Sequence, residues 1–212
     1  MEYGHLRLLP GAEGQGAPAA ARLERSDEEL IEGVLVGNGA IASELYDKLW
    51  TVVDRTLVRL FGRRESDHED LVQATFEQII RTIMERRFAR ACKLTTWAGA
   101  IASHVGMNAL RARRSERRVV DRDADATDVP RGGSSSEQRQ EAESEVARLR
   151  SHLAAMDPAK AEAVFLHDVL GHELAEIAVL TNTSVAAAQS RLVRGRRELV
   201  ERMQGGDRKG AT

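Results

Sequence analysis

The chain has 212 residues, a formal net charge of -2 and 42% hydrophobic residues, few of them aromatic. This composition allows one or two mostly aliphatic cores, and the near-neutral charge excludes a protein that binds polyanions over its whole surface. The single cysteine, Cys92, excludes an internal disulfide or a zinc site of several cysteines and is typical of a reducing cytoplasm. No apolar run approaches the roughly 20 residues of a membrane span, and the N-terminus lacks a signal-peptide pattern.

The N-terminal third begins with a segment that has no helical pattern. Residues 1–25 are rich in glycine and proline and show no hydrophobic period, which predicts a disordered tail. Ser26 and Glu29 form a capping-box pattern, which predicts the start of a first helix. A second helix is predicted over about residues 40–61, and Gly62 is expected to end it.

A third helix is predicted from a second capping-box pattern, Ser66 and Glu69, to about residue 87. Four polar side chains share one face of this helix at helical spacing: Asp70, Gln73, Glu77 and Arg81. This face is either an ordinary solvated surface or a docking surface for a partner.

A short basic loop precedes a fourth helix, which Thr95 or Thr96 is expected to cap and which runs to about residue 118. On a helical projection, four side chains lie within roughly 60° of each other: Trp97, His104, Asn108 and Arg111. The stripe continues into further arginines, namely Arg113, Arg114, Arg117 and Arg118. An indole beside amide, imidazole and guanidinium groups suits unstacked bases and phosphates. The alternative is that Trp97 lies at the edge of the core, as a tryptophan on a helix commonly does.

The two halves of the chain are separated by a segment of different composition. Acidic residues outnumber arginines over residues 120–144, part of which has the proline, glycine and serine content of a linker. We therefore predict an all-α protein in which two small helical domains, 26–119 and 145–203, are joined by a flexible acidic linker. Residues 204–212 have no pattern and are predicted to form a second disordered tail.

The second domain contains a helix-turn-helix pattern over residues 171–202. Asn182 tolerates the left-handed backbone of such a turn, and Thr183 or Ser184 can cap the helix that follows. On that helix one face carries Ala187, Ser190, Arg191 and Arg194, opposite the apolar face. This arrangement is typical of a unit that binds the major groove of DNA. The alternative is a helical hairpin whose arginines are only solvated.

Several of these segments, in this order, resemble the extracytoplasmic-function (ECF) subfamily of bacterial sigma factors over about residues 28–202. In the first domain, His68–Phe76 (HEDLVQATF) resembles the polymerase-binding segment, and Leu94–Trp97 with Ile101–Ala102 resembles the promoter-melting segment. The basic run from Arg111 resembles the continuation of that segment. Asp157–Leu199, with Glu176–Ala178 and Ser190–Leu192, resembles the C-terminal domain of the family. Each motif alone is modest, but together and in order they make a strong signal.

The resemblance implies a cytoplasmic sigma factor that is monomeric when free of polymerase and has no catalytic residue, metal or cofactor. Its partners would be core RNA polymerase, promoter DNA and an anti-sigma factor. The implied polymerase-binding residues are Asp70, Gln73 and Glu77. The implied minus-ten residues are Arg90, Lys93, Trp97, His104, Asn108, Arg111, Arg113 and Arg114. The implied minus-thirty-five residues are Ser184, Ala187, Ser190, Arg191 and Arg194.

Two other functions stay open at this point. A helix-turn-helix regulator that acts on duplex DNA alone would explain the C-terminal half, but it leaves the Asp70 and Gln73 face and Trp97 without a role. A sigma-like decoy in a partner-switching system would bind a regulator and start no transcripts. An enzyme is not expected, because the sequence offers no paired carboxylates, nucleophile with a base, or glycine-rich phosphate loop.

Overall fold

The structure, a computed structural model, describes residues 25–123 and 137–207, over which it contains helices and no strand. The helices are α1 Asp27–Leu35, α2 Gly39–Phe61, α3 His68–Met84, α4 Leu94–Asp123, α5 Glu137–Ala155, α6 Pro158–Val164, α7 Leu174–Leu180 and α8 Val185–Asp207. A π-helical turn, Phe165–Val169, extends α6. The predicted all-α fold is therefore confirmed. No described helix combines the length and the apolar character that crossing a membrane requires.

Helices α1 to α4 form the N-terminal domain around an aliphatic core. The Ser26 and Glu29 capping box is present as predicted. Asn38 caps α2 by accepting from two backbone N–H groups, and Gly62 ends that helix with a left-handed φ of 77°. The buried side chains of this core include Leu30, Ile31, Val34, Leu45, Leu49, Val53, Leu57, Val72, Phe76, Ile79, Ile83, Leu94, Ala98 and Met107.

Two predicted helix caps are wrong, because side chains from elsewhere in the fold replace local ones. At the start of α3 the cap residue is Asp67, not Ser66, and its side chain makes no capping hydrogen bond because it pairs with Arg113. At the start of α4 neither Thr95 nor Thr96 provides the cap, since the helix begins at Leu94. The Leu94 N–H donates instead to the Asp27 carboxylate of α1, at 2.9 Å.

Helical structure extends further than the sequence pattern predicts. The fourth helix runs to Asp123 rather than to about residue 118, and α5 begins at Glu137, so both ends of the predicted linker are helical. Helix α8 likewise continues to Asp207, into the predicted tail. Glutamate, glutamine and arginine have good helix propensity, which allows α5 to begin in a segment without an apolar face. Residues 1–24, 124–136 and 208–212 lie outside the described residues.

The C-terminal domain packs directly on α4. The Ala100 side chain lies in an apolar cluster with Leu166, Ile177 and Ala188 of the C-terminal domain. On the other side of the contact, Arg150 Nε donates to the Leu60 carbonyl, 2.8 Å away, in the last turn of α2. That carbonyl has no partner within its own helix, so the guanidinium satisfies it. One face of α4 is therefore covered by the C-terminal domain.

Candidate nucleic-acid interface

The polar face of α3 is a continuous exposed surface. Asp70, Gln73 and Glu77 are all exposed, while the opposite side of the helix is buried in the N-terminal core. The Gln73 Nε2 group donates to Glu77 Oε1 at 2.9 Å, so adjacent turns of the helix present linked polar groups. Arg81, the fourth side chain that the sequence grouped with them, is also exposed, so all four share one accessible face.

His68, the first residue of α3, is buried and contributes to packing rather than to the exposed polar face. It is 5% exposed, and its Nε2 atom lies 2.8 Å from Asp54 Oδ1. Arg64 binds the same carboxylate through two nitrogens, and this hydrogen bonding holds the pKa of Asp54 below its ordinary value despite burial. His68 and Asp54 therefore link α3 to α2 beneath the exposed polar face.

The loop before α4 is shaped by contacts with the rest of the N-terminal domain. Arg86 and Arg90 have positive φ angles of 54° and 55°, which non-glycine residues rarely adopt. Arg90 Nη2 donates to Glu32 Oε1 of α1 at 2.7 Å. Lys93, just before the helix, is exposed. Arg90 and Lys93, the two residues of this loop that are predicted to bind the minus-ten element, therefore lie close together in a short loop. The contact with Glu32 anchors this loop to α1.

Trp97 lies at the edge of the core, as the second interpretation of this residue predicts. Its side chain is half-buried, and its ring centroid lies 4.5 Å from that of Phe88 in a tilted arrangement. It also packs against the N-terminal core. Since the indole is not fully covered, the packing role and a base-stacking role are compatible.

The polar stripe of α4 faces acidic groups of the C-terminal domain. His104 Nδ1 lies 3.6 Å from Glu162 Oε1 of α6. Arg111 donates from Nη1 to Asn108 Oδ1 at 2.9 Å, while its Nε is buried without a hydrogen-bond partner. Burial lowers the pKa of Arg111, and the field of Glu162 opposes that effect. The Glu162 carboxylate therefore lies beside the stripe that is predicted to bind DNA.

The contact between His104 and Glu162 is expected to depend on pH. The Glu162 contact raises the pKa of His104 above 6.5 against the opposing effect of burial. A raised folded-state pKa means that the contribution to stability is complete below the ordinary pKa and is lost as pH rises through the raised value. We expect a small fall in melting temperature over that window, absent in Glu162→Gln, when thermal unfolding is followed at a series of pH values. The same pH dependence in both proteins would contradict the pairing.

Two other predicted DNA-binding arginines contact the protein itself. Arg113 pairs with the Asp67 carboxylate, and its guanidinium lies 4.5 Å above the Phe61 ring. Arg114 Nη1 donates to Ser151 Oγ of α5 at 2.9 Å. In this structure both arginines hold elements together, so a phosphate role requires that they exchange partners. The side chains of Arg117 and Arg118 lie outside the described residues.

The helix-turn-helix has the predicted turn and cap. Asn182 adopts a left-handed φ of 49° between α7 and α8. Ser184, rather than Thr183, caps α8, because its Oγ accepts from the Ala187 N–H at 3.2 Å. Ala187, Ser190 and Arg191 are half-buried, and Arg194 is exposed. Neither Arg191 nor Arg194 makes a hydrogen bond or an ion pair within residues 25–123 and 137–207, so both guanidinium groups are available to a ligand.

Sequence reasoning missed three acidic residues that shape the site, namely Asp27, Glu32 and Glu162. Asp27 and Glu32 bind the loop before α4, and Glu162 contacts His104. Each contact joins residues far apart in the chain. The capping box at Ser26 locates α1 but carries no signal of what the helix touches. Within the described residues no group of three or more His, Cys, Asp or Glu side chains is arranged to hold a metal ion.

Models of two protein families match the chain. Sigma-70 region 2 matches residues 41–116, which contain α3, the basic loop and most of α4. Sigma-70, region 4 matches residues 147–199, which contain the helix-turn-helix. Together the two regions span more than half of the chain, in the order that the sequence resemblance predicts. Comparison with curated protein sequences gives no significant match.

The fold is similar to that of solved structures. CnrH, in its complex with the cytosolic domain of CnrY, is 22% identical, and the alignment covers 85% of this chain and 99% of that one with a TM-score of 0.53. The sigma factor RpoE from Bartonella quintana, in its complex with the anti-sigma factor NepR, is 19% identical, with coverage of 74% and 95% and a TM-score of 0.43. The likeness to CnrH extends over both helical domains and concerns the fold.

Proposed function

Because this chain belongs to the sigma-70 family, we propose that it acts in the cytoplasm as a two-domain sigma factor of the ECF type. It binds core RNA polymerase, recognises promoter DNA and promotes strand opening, and it makes or breaks no bond itself. The observation that carries this proposal is the match of regions 2 and 4 in order along one chain. The exposed faces of α3, α4 and α8 supply the surfaces that these three activities need.

The first surface is the polar face of α3. Asp70, Gln73 and Glu77 dock on the clamp-helix coiled coil of the large polymerase subunit, as the family resemblance implies. The face suits this role because its side chains are exposed while the helix beneath them is rigidly packed. A rigidly packed helix fixes the register of a docking partner and loses little backbone entropy on binding.

The second surface is formed by the basic loop and the stripe of α4. Holding a base outside the stack costs a few kcal/mol, and a stacking partner such as Trp97 returns on the order of 1–3 kcal/mol. Arg90 and Lys93 attract the backbone, while His104 and Asn108 select the base by hydrogen bonding. Arg111, Arg113 and Arg114 contact phosphates further along the strand. Binding free energy is thereby converted into strand opening at the minus-ten element.

The third surface is the outer face of α8. Ser184, Ala187, Ser190, Arg191 and Arg194 face the minus-thirty-five element as duplex DNA. The first turn of this helix is Val185 followed by three alanines, whose side chains offer no hydrogen bonds to base edges. Phosphate contacts and groove shape therefore carry much of the recognition here.

The two domains separate when the promoter is bound. His104 and Arg111 lie close to Glu162, whose negative charge repels a DNA phosphate that approaches them. Release exchanges a weak, partly exposed contact for phosphate contacts, which favours the open arrangement once both DNA elements are available. An anti-sigma factor is a proposed partner that acts on the free, monomeric chain. In support, CnrH, which has this fold, was solved in a complex with the cytosolic domain of CnrY.

Replacement of Gln73 by alanine is expected to weaken binding to core polymerase about fivefold, because a docked amide that loses its hydrogen bonds costs about 1 kcal/mol. Binding is measured by fluorescence anisotropy of labelled chain with purified core polymerase. Gln189→Ala, an exposed glutamine on α8, is the matched control and should leave core binding unchanged. Full core affinity in Gln73→Ala would contradict a docking role for this face.

The experiment that tests the whole proposal is run-off transcription with purified bacterial core polymerase on fragmented DNA from the source of this chain. Transcripts that depend on the chain and begin at defined positions are expected, and alignment of the starts gives the promoter elements. Binding to core without transcripts would favour a decoy. Binding to duplex DNA without binding to core would favour an ordinary helix-turn-helix regulator.

A further inference from the structure

Helix α4 obtains its N-terminal cap from a different helix. The Leu94 N–H donates to Asp27 Oδ2 at 2.9 Å, although the two residues are 67 positions apart. The first N–H groups of a helix lack partners within the helix and carry partial positive charge, so a carboxylate is the favoured acceptor. Asp27 is the first residue of α1 and precedes residue 41, where the region 2 match begins.

The Asp27 carboxylate is itself held in place. Its second oxygen accepts from Lys48 Nζ of α2 at 2.8 Å, so both oxygens have a partner. Burial acts to raise the pKa of Asp27, but the hydrogen bonds from Lys48 and Leu94 outweigh it and keep the pKa below its ordinary value. The group is therefore charged at neutral pH, which adds a favourable interaction with the partial positive charge of the helix N-terminus.

A second acidic residue of α1 binds the other end of the same loop. Glu32 Oε1 accepts from Arg90 Nη2 at 2.7 Å. Arg90 has a left-handed φ of 55°, a conformation that persists where surrounding contacts favour it. Glu32 and Arg90 are both largely exposed, so this pair guides the loop more than it stabilises the fold.

Helix α1 is rigid enough to serve as a support for both contacts. Leu30, Ile31 and Val34 are each at most 5% exposed in the N-terminal core. Its two acidic contacts bracket residues 90–94, within which Lys93 is exposed, and Trp97 follows in the first turn of α4. The loop and the start of α4 thus have their positions set from α1.

We propose that α1 positions the minus-ten site, with Asp27 and Glu32 as positioning residues that hold the loop so that Lys93 meets the DNA backbone and Trp97 meets the unstacked base. This inference rests on the proposed function and adds to it a segment outside the two matched regions. Neither acidic residue contacts DNA, since both side chains are occupied by the loop. Their effect is on the orientation of the binding groups, and a misplacement of about 1 Å can reduce the rate or affinity by up to about 100-fold.

The test uses holoenzyme assembled from purified core polymerase and the full chain. The probe is the single-stranded minus-ten segment of a promoter mapped by run-off transcription, labelled for fluorescence anisotropy. Asp27→Ala is expected to weaken binding of this oligonucleotide about tenfold while core binding changes less than about twofold. Asp27→Asn should restore most of the oligonucleotide affinity, because its amide oxygen still accepts from the Leu94 N–H.

Two further variants separate positioning from loss of stability. Ser26→Ala removes the cap of α1 without touching α4, since Ser26 Oγ accepts from the Glu29 N–H. It should lower the melting temperature and leave oligonucleotide affinity unchanged. Glu32→Ala replaces an exposed residue and should fold normally, yet it should weaken oligonucleotide binding by about threefold.

The outcomes distinguish this inference from the function on which it rests. A wild-type chain that starts no transcripts overturns the proposed function and the positioning role with it. A wild-type chain that starts transcripts, together with Asp27→Ala and Glu32→Ala chains that bind the oligonucleotide as tightly as wild type, overturns the positioning role alone. Equal losses in Ser26→Ala and Asp27→Ala would also overturn it, because stability would then explain both.

Discussion

Replacement of Trp97 by alanine is expected to reduce transcription from a duplex promoter by on the order of 10- to 100-fold, because the loss of one base-stacking partner removes about 1–3 kcal/mol. The loss should fall on strand opening, since Trp97 is the large aromatic side chain on the stripe of α4 that meets unpaired bases. Its ring also packs on Phe88, so part of the effect comes from loosening of the basic loop. Trp97→Phe should retain more activity, because a phenyl ring can fill both roles in part.

The measurement compares run-off transcription on duplex and on premelted templates of the same promoter. Premelting supplies the open strands, so Trp97→Ala should recover much of its activity there. Trp50→Ala is the matched control: Trp50 is also half-buried in the N-terminal domain, but it lies on α2 beside Tyr46. It should lower the melting temperature without a selective defect on duplex templates. If Trp97→Ala does not recover activity on the premelted template, the residue acts only in packing.

The features that the sequence predicted correctly are those fixed by neighbouring residues. The capping box at Ser26, the left-handed Asn182 and the cap by Ser184 each depend on contacts within four residues. Periodic apolar residues located the long helices for the same reason, since one turn of helix places them on one face. The exposed face of α3 also followed from spacing, because Asp70, Gln73 and Glu77 recur at three- and four-residue intervals.

The features that could not be predicted join distant parts of the chain. Asp27 outcompetes Thr95 and Thr96 as the cap of α4, although both threonines have the right local chemistry. Asp67 is drawn to Arg113 and so makes no capping bond in α3. In both cases the hydrogen bond with a charged group that the tertiary fold brings near is stronger than the local capping hydrogen bond. A pattern in one segment cannot show which remote side chain will approach.

The packing of the two domains was likewise beyond the sequence pattern. A helical projection grouped His104 and Arg111 by their position on α4, but it could not show that the Glu162 carboxylate lies near both. The small residue Ala100 permits this close contact, because its short side chain lets α4 approach the C-terminal domain. The region that binds DNA in the proposed function is thus partly covered in the free chain.

Simultaneous replacement of Arg191 and Arg194 by alanine is expected to weaken promoter binding by roughly 100-fold at low salt, since each loses a charge-assisted contact of about 1.5 kcal/mol. Neither side chain makes a hydrogen bond or an ion pair within residues 25–123 and 137–207, so their removal should leave the fold intact. Each phosphate contact releases counterions, so the slope of log affinity against log salt should become less negative by about 0.9 per contact. The slope is measured with holoenzyme on labelled promoter DNA over a series of salt concentrations.

A matched control separates these contacts from a general effect of charge. Arg55→Ala with Arg59→Ala removes two exposed arginines from α2 and changes the net charge by the same amount. If only total charge mattered, both double variants would shift the slope equally, because long-range attraction does not depend on position in detail. If Arg191 and Arg194 contact phosphates directly, only their replacement changes the slope, and the loss should be similar for different promoter sequences. An unchanged slope would leave the outer face of α8 without a phosphate-binding role.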